Sequence, residues 1–265
     1  MMRYCIILSY TIFCYNASMR VRAIKTHKIT QKDTDILAVI DAYVKEVPEG
    51  SVAAVTSKIV SLCEGRVVPK EGSNKEELVQ KEAELYLSAQ ENKYRLSLAV
   101  KRGMLVPTAG IDESNAQGVY VLWPQNVQKT ADSIREFLKN KFSLSRIGAV
   151  ITDSTTRPLR WGVNGVALAH SGFAALNDFR GKPDIFGIPL KVTQVNVMDG
   201  LAAAAVLCMG ESNEQTPLAL IEDVSFVQFQ DRNPTQEELA ALRISPEEDL
   251  YAPILTKAEW KKGQA

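Results

Sequence analysis

A buried strand followed directly by a polar segment is predicted in the stretch Gly148-Ala-Val-Ile-Thr-Asp153-Ser-Thr-Thr-Arg157-Pro-Leu-Arg160. Residues 149–152 form an apolar, β-branched run typical of a strand buried on both faces. The chain then turns polar, with a carboxylate and three hydroxyls followed by two arginines. Such oxygens are ligands for hard divalent cations, and guanidiniums grip phosphate oxygens. The stretch predicts a metal–nucleotide site at a strand end, with Arg157 and Arg160 binding substrate. A polar turn closed by an Arg–Asp ion pair is the alternative.

Composition narrows the class of protein. The chain has 265 residues, is 46% hydrophobic and has a formal net charge of zero. This size suits one large unit or two packed lobes with a proper core. Zero net charge argues against a broad nucleic-acid footprint. The four cysteines show no CxxC spacing and there are only two histidines, which argues against zinc and disulfides. We therefore expect a cytoplasmic protein with no nucleic-acid or membrane partner.

The two ends of the chain differ from its middle. Residues 1–18 contain a short apolar run that fits a signal peptide but is too short to span a bilayer. The alternative, which we favour, is an upstream start codon, with the folded protein beginning at Met19. Residues 233–265 are charged, and we expect them to be peripheral. The predicted organisation is an extension at 1–18, a domain at 19–232 and a C-terminal segment at 233–265.

Hydrophobic periodicity indicates a mixed α+β fold, because strands outnumber strict strand–helix alternation. Helices are predicted at 33–44, 75–90, 126–142 and 201–209, the last capped by Asp199. Strands are predicted at 52–56, 95–100, 104–106, 119–123, 149–152, 163–170, 190–197, 218–221 and 225–229.

Three separated acids stand beside glycines or hydroxyls at the ends of predicted elements: Asp112, Asp153 and Glu211. Carboxylates from different elements can hold one or two Mg²⁺ ions, so we expect these three to converge. For Asp112 an Asx turn is the competing interpretation. Ser57 and Lys58 follow a predicted strand and suit phosphate, although a lone lysine there is often only a solvated charge.

Four motifs follow one another along the chain: Thr56-Ser-Lys-Ile-Val-Ser with Glu64-Gly-Arg66, Ala109-Gly-Ile-Asp-Glu-Ser-Asn115, Asp153-Ser with Arg157-Pro-Leu-Arg160, and the run from Asp199 to Met209-Gly-Glu211. In this order they resemble the coenzyme F420-0:L-glutamate ligase (γ-glutamyl ligase) family. The resemblance covers roughly residues 19–229.

The resemblance implies a GTP-dependent ligase that requires Mg²⁺ or Mn²⁺, activates a carboxylate as an acyl phosphate and captures it with the amine of L-glutamate. It implies an α+β fold in an intertwined homodimer with the active site near the interface. We also connect the dimer with three aromatic residues near the site loops, Trp123, Trp161 and Phe173. The implied metal ligands are Asp112, Asp153, Ser154 and Glu211, with Asp112 and Asp153 as catalytic residues. Asn115 is an implied substrate contact. Implied nucleotide contacts are Ser57, Lys58, Met209, Gly210, Glu211, Ser212, Asn213, Glu214, Gln215 and Thr216.

Three departures from the family pattern leave the substrates open. Leu62 replaces a lysine expected to touch nucleotide, and Thr156 replaces a glycine. The match is also poor near residues 28–31, where a first nucleotide contact is expected. These changes suggest a bacterial side branch. The acceptor is then F420-0, a folate-type molecule or another metabolite, and the nucleotide GTP or ATP. A non-catalytic nucleotide- and metal-binding member and an unrelated metal-dependent phosphatase are further alternatives.

Overall fold

A central five-stranded sheet organises the chain, and the computed structural model describes residues 19–265. The predicted extension at 1–18 lies outside the described residues. The strands are β1 (Arg20–Ile24), β2 (Ser51–Thr56), β3 (Val67–Pro69), β4 (Leu85–Leu87), β5 (Leu98–Lys101), β6 (Met104–Pro107), β7 (Val119–Val121), β8 (Ile147–Thr156), β9 (Val163–Ser171), β10 (Leu176–Asp178), β11 (Gln194–Asn196), β12 (Leu218–Glu222) and β13 (Lys261–Lys262). The helices are α1 (Ile36–Tyr43), α2 (Ser57–Cys63), α3 (Lys75–Glu82), α4 (Val127–Phe142), α5 (Val197–Met209), α6 (Gln236–Ala240) and α7 (Ala252–Leu255).

The central sheet has the order β1-β12-β2-β8-β9, and only β2 and β8 pair in parallel. Successive side chains of a strand point to opposite faces. Ala53 and Val55 accordingly join the core under α1, α2 and α4, while Val52 and Ala54 join the core under α5. Burial on both faces explains the apolar runs of the two parallel strands.

A second, smaller sheet of order β13-β4-β5-β6 packs with α3, and β3 pairs with β7. Within the C-terminal segment, β13 joins the edge of this sheet at β4, and Gly263 donates its N–H to the carbonyl of Glu84 at 2.9 Å. The chain therefore has the predicted α+β class with mixed sheets. In residues 19–265, none of the helices combines the length and apolar character that crossing a bilayer requires.

Strand β8 is longer than predicted. It pairs with β2 only as far as Thr152. Its pairing with β9 shifts register between Ile151 and Thr152. Beyond that point β8 and β9 continue as a two-stranded ribbon, with Asp153 opposite Val166. The predicted strand end at residue 152 is therefore wrong, because β9 pairs with the backbone as far as Thr156. Asp153 still lies just beyond the end of β2.

Other boundaries also need correction. The predicted helix at 75–90 stops at Glu82, and residues 85–87 form β4 because β5 and β13 pair with them. The predicted strand at 190–197 shrinks to β11, and 225–229 makes a single bridge from Phe229 to Phe173. Helix α5 begins earlier than predicted, and its N-cap is Asn196, whose side chain accepts the N–H of Asp199. Asp199 is not the cap, and its carboxylate accepts the N–H of Ala167 instead.

The three aromatic residues linked above to dimerisation have different environments. Trp123 and Phe173 are 3% and 1% exposed, so both are core residues of this chain. Trp161 is 90% exposed in the turn between β8 and β9. Of the three, only Trp161 is available to a partner, because burial in the protomer removes the other two.

Candidate functional site

A cleft of about 540 Å³ opens where β2 ends and β8 runs past it. Ligands of open α/β sheets bind at the carboxyl ends of parallel strands, and this cleft has that position. The residues foreseen from the sequence that line it are Lys58, Asp112, Asn115, Asp153, Ser154 and all of 209–216. Three acids far apart in sequence thus face one cleft.

Three residues assigned from the sequence lie elsewhere. Ser57 is buried as the first residue of α2 and does not line the cleft. Arg157 and Arg160 lie in the exposed turn after β8, because the strand continues through Thr156 before the chain turns. Across residues 19–265 neither arginine forms an ion pair. The alternative of a turn closed by an Arg–Asp pair is therefore not what the structure contains.

Asp112 forms the Asx turn considered for it and also lines the cleft, while its role as a metal ligand stays a prediction. Its Oδ1 accepts the N–H groups of Glu113 and Ser114 at 2.5 and 2.7 Å, which is an Asx turn. Its Oδ2 lies 2.6 Å from Nζ of Lys58 in the cleft. Burial would raise the pKa of Asp112, but the hydrogen bond and charge of Lys58 outweigh it and the pKa is lowered. Asp112 is therefore ionised and paired.

The carboxylate of Asp153 is buried, and its hydrogen bonds offset only part of the cost of burying a charge there. Its Oδ1 accepts the N–H of Ser154 at 2.9 Å, and its Oδ2 accepts the indole N–H of Trp123. Burial raises the pKa of Asp153 to about 6, and the negative charge of Asp112 acts in the same direction. The two hydrogen bonds oppose this shift without cancelling it. An added cation near this carboxylate would therefore be favourable.

Glu211 follows the C-terminus of α5, one residue after Gly210. Burial raises its pKa, with a contribution from the charge of Asp112, while a hydrogen bond with Ser154 opposes the shift. Gly210 has φ +81°, and a Cβ there would lie 2.4 Å from the carboxyl carbon of Glu214. Glycine is therefore required for the loop to turn this closely.

Carboxylate and hydroxyl oxygens are hard ligands, so the donor set of Asp112, Asp153, Ser154 and Glu211 suits Mg²⁺ or Mn²⁺. The raised pKa values of Asp153 and Glu211 indicate negative charge that a cation would relieve. In the described part of the chain, no three side chains of His, Cys, Asp or Glu already surround a common point. Lys58 on Asp112 and Trp123 on Asp153 hold two of the acids in their present places.

Hydrogen bonds between loops tie the rim of the cleft together. The side-chain amide of Asn115 donates to the carbonyl of Ser212 at 2.7 Å, and the N–H of Thr26 donates to the carbonyl of Gln215 at 2.9 Å. His27 lies between the hydroxyl of Tyr43 and a carboxylate oxygen of Asp33, at 2.7 and 2.8 Å. Both nitrogens of that imidazole are engaged, so His27 holds its segment in place.

Sequence reasoning missed two features of the cleft. Thr26 and His27 line it, and no motif marks them, since loop packing brings them there. Trp123 donates a hydrogen bond to Asp153. The sequence indicates only that a buried indole N–H needs an acceptor, and it does not identify that acceptor. Leu62, the residue expected to be lysine, does line the cleft, one helical turn after Lys58.

Comparisons with known proteins identify the family of this chain. The family model described as F420-0:Gamma-glutamyl ligase matches residues 22–223. A protein of Methanopyrus kandleri named Coenzyme F420:L-glutamate ligase is 34% identical over 204 residues, which is 70% of this chain and 80% of that protein. One of the same name from Halorubrum lacusprofundi is 32% identical over 72% of this chain and 82% of its own. A third protein of that name, from Methanococcus maripaludis, is 40% identical over 57% of this chain and 58% of its own length. Because the family model spans most of its length, this chain belongs to the F420-0:gamma-glutamyl ligase family.

Proposed function

We propose that this protein is a GTP- and metal-dependent ligase that joins L-glutamate through an amide bond to a carboxylate acceptor such as coenzyme F420-0. In the proposed reaction an acceptor carboxylate oxygen attacks the terminal phosphorus of GTP and releases GDP. The amine of L-glutamate then attacks the acyl phosphate, forming the amide and releasing phosphate and a proton. The observation that carries the proposal is the meeting of Lys58 and three acids in one cleft of a ligase-family chain.

The cleft lining combines the two kinds of side chain that a nucleotide needs. Ile29, Ile59 and Val206 are apolar and suit a purine base. Lys58 and the acids also line the cleft and suit phosphates and their counter-ions. Phosphoryl transfer demands mainly that oxygens be positioned and charge neutralised. The donor set therefore supports a nucleotide-dependent reaction.

Each polar residue has a proposed task. Asp112, Asp153, Ser154 and Glu211 hold the metal, and residues 209–216 contact the nucleotide. When bound, Mg²⁺ or Mn²⁺ neutralises charge on the phosphate oxygens. Lys58 releases Asp112 when the metal arrives and donates to a phosphate. The proposed compartment is the cytoplasm, as expected from the cysteine pattern.

We propose a homodimer built in part by the turn that follows β8. Leu159 and Trp161 are 103% and 90% exposed there. Large apolar side chains grouped on a surface mark interaction sites. Arg157 and Arg160 lie in the same turn, outside the cleft of their own chain. In the proposed dimer they bind substrate in the cleft of the partner.

The direct test incubates the protein with GTP or ATP, Mn²⁺, L-glutamate and either F420-0 or a folate, and reads the product by mass spectrometry. We expect the mass increment of one or more glutamyl groups, with GDP formed in step. Asp112→Asn should abolish it, while Asp231→Asn, an exposed acid paired with Lys139, should not. No increment with any acceptor would contradict the proposal.

A second candidate is a family member that binds nucleotide and metal without ligation. The presence of Leu62 in the cleft wall, where the family resemblance implies lysine, favours it. The same incubation separates the two, because a non-catalytic member would bind GTP in equilibrium dialysis yet give neither GDP nor a glutamyl product.

A further inference from the structure

We propose that Trp123 is a positioning residue of the cleft: its indole N–H fixes one oxygen of Asp153 and sets the orientation in which that carboxylate meets a divalent cation. The inference rests on the metal-binding part of the proposed function. It adds a residue outside the ligand set and gives a buried aromatic side chain a task other than packing.

The contact is directed and fully buried on the tryptophan side. Trp123 is 3% exposed, and its Nε1 donates to Oδ2 of Asp153. Oδ1 of the same carboxylate accepts the N–H of Ser154 at 2.9 Å. One donor on each oxygen fixes the plane of the carboxylate, and each oxygen keeps a lone pair for a cation. An indole only donates, so this contact favours the ionised ligand form.

The indole also touches the segment that presents the second acid. Thr108, Ala109 and Gly110 have φ values of 51°, 50° and 70°, a left-handed turn two residues before Asp112. A Cβ on Gly110 would lie 2.2 Å from both Cε2 and Nε1 of the indole. The absence of a side chain at 110 thus makes room for Trp123. One tryptophan therefore sets the spacing between the turn before Asp112 and the carboxylate of Asp153.

A network of charged side chains also contacts Trp123. Nζ of Lys101 lies 5.4 Å from the ring centroid, and Lys101 pairs with Glu82 at 2.6 Å. Arg66 pairs with Glu82 at 2.9 Å and donates through Nε to the carbonyl of Trp123 at 3.2 Å. Ring and backbone are both anchored, so the N–H cannot easily turn away from Asp153.

The test removes the N–H and keeps the shape. Replacing Trp123 by 3-(3-benzothienyl)alanine substitutes sulfur for the N–H in the same bicyclic ring, and Trp123→Phe is the simpler companion. The readout is the Kd for Mn²⁺ alone, from the electron paramagnetic resonance signal of free Mn²⁺. Partners outside the first ligand shell typically contribute about 10- to 100-fold in metal affinity. We expect a loss of that size in both variants, with cooperative thermal unfolding retained in the benzothienyl protein.

Fluorescence supplies a second readout. Paramagnetic Mn²⁺ quenches a nearby indole, so binding should quench the native emission through Trp123. Trp260→Phe is the matched control, because Trp260 donates to the carbonyl of Leu255 in the C-terminal segment. That variant should keep both the quenching and the Kd, and Trp123→Phe should lose the quenching.

A Kd unchanged in the benzothienyl protein, while the native protein binds Mn²⁺, would overturn the positioning role alone and leave the proposed function standing. A native protein that binds no Mn²⁺ would overturn the metal-binding part of the proposed function and the positioning role with it.

Discussion

Asp153 is the residue at which burial most clearly opposes ionisation. Burial raises its pKa to about 6, so ionising this side chain costs free energy in the folded state that it does not cost in the unfolded chain. In the proposed metal site, a bound cation would offset this cost. The residue therefore links the stability of the metal-free protein to pH.

The pH dependence has a definite sign. Between about pH 4 and about pH 6 the folded state holds a proton that the unfolded state has lost, so rising pH lowers the free energy of unfolding. We expect Asp153→Asn to remove this decrease with pH. Near neutral pH, the free energy of unfolding of the variant should exceed that of the native protein by up to about 3 kcal/mol. Urea unfolding in metal-free buffer across this range measures it, with Asp231→Asn as the control. Parallel pH profiles for native protein and Asp153→Asn would refute the assignment.

Leu62 occupies a position in the cleft where a lysine is expected to strengthen nucleotide binding. It lies in the cleft wall one helical turn from Lys58, so Leu62→Lys places a second cation near the proposed phosphates. A charge-assisted hydrogen bond contributes about 1.5–3 kcal/mol. We expect GTP to bind roughly ten- to a hundred-fold more tightly, measured by calorimetry. Leu62→Met is the matched control without charge.

An unchanged Kd in Leu62→Lys would mean that another cation already fills this role. Lys28 and Lys58 line the cleft and are the candidates. Arg66 is not, because its guanidinium is engaged by Glu82.

Among the elements, the left-handed turn at Thr108–Gly110 is the one most sensitive to substitution. Gly110→Ala would add a Cβ 2.2 Å from the indole at a residue with φ +70°. Backbone strain and overpacking each cost about 1–3 kcal/mol, so we expect a loss of roughly 2–6 kcal/mol in chemical unfolding. Gly72→Ala is the matched control, since Gly72 has φ +74° and open space around its Cβ position. Equal losses in the two variants would show that the indole contact is unimportant.

Elements with strong local signals were predictable from the sequence. Helix α4 was expected at 126–142 and spans Val127–Phe142, because its apolar stripe is long and regular. The strands predicted at 95–100 and 104–106 correspond to β5 and β6, which pair as a hairpin. Helix α3 ends earlier than predicted and strand β8 continues beyond the predicted end at residue 152, because in both places pairing with another strand determines the structure.

The site was predictable to the same degree and for the same reason. Asp112, Asp153 and Glu211 each carry a local signal, a carboxylate beside glycine or hydroxyls at an element end, and all three line the cleft. Arg157 and Arg160 carry an equally clear signal but lie outside it, since the β8–β9 ribbon carries them away. Whether a side chain faces a cleft depends on long-range packing that local spacing does not encode.

At the scale of the whole molecule, the exposed apolar residues argue for a dimer. Besides the turn after β8, the loop between β10 and β11 exposes Ile185, Phe186 and Val192. We expect sedimentation at micromolar concentration to give about twice the protomer mass of 29.3 kDa. Trp161→Ser should shift the protein toward the monomer, because an aromatic anchor of an interface is lost. Tyr251→Ser, in the C-terminal segment, is the control. A native protein that sediments only as a monomer would contradict the dimer.

A pair of thermal melts, with and without Mn²⁺, shows whether Asp112, Asp153 and Glu211 form one divalent-cation site as proposed. A ligand stabilises a protein only in proportion to its binding, by about 2.7 kcal/mol at a hundred times its Kd. We predict that Mn²⁺ raises the melting temperature of the native protein and leaves that of Asp153→Asn unchanged, although the variant is at least as stable without metal. If Mn²⁺ raises both melting temperatures equally, Asp153 is not a ligand and the proposed site is wrong.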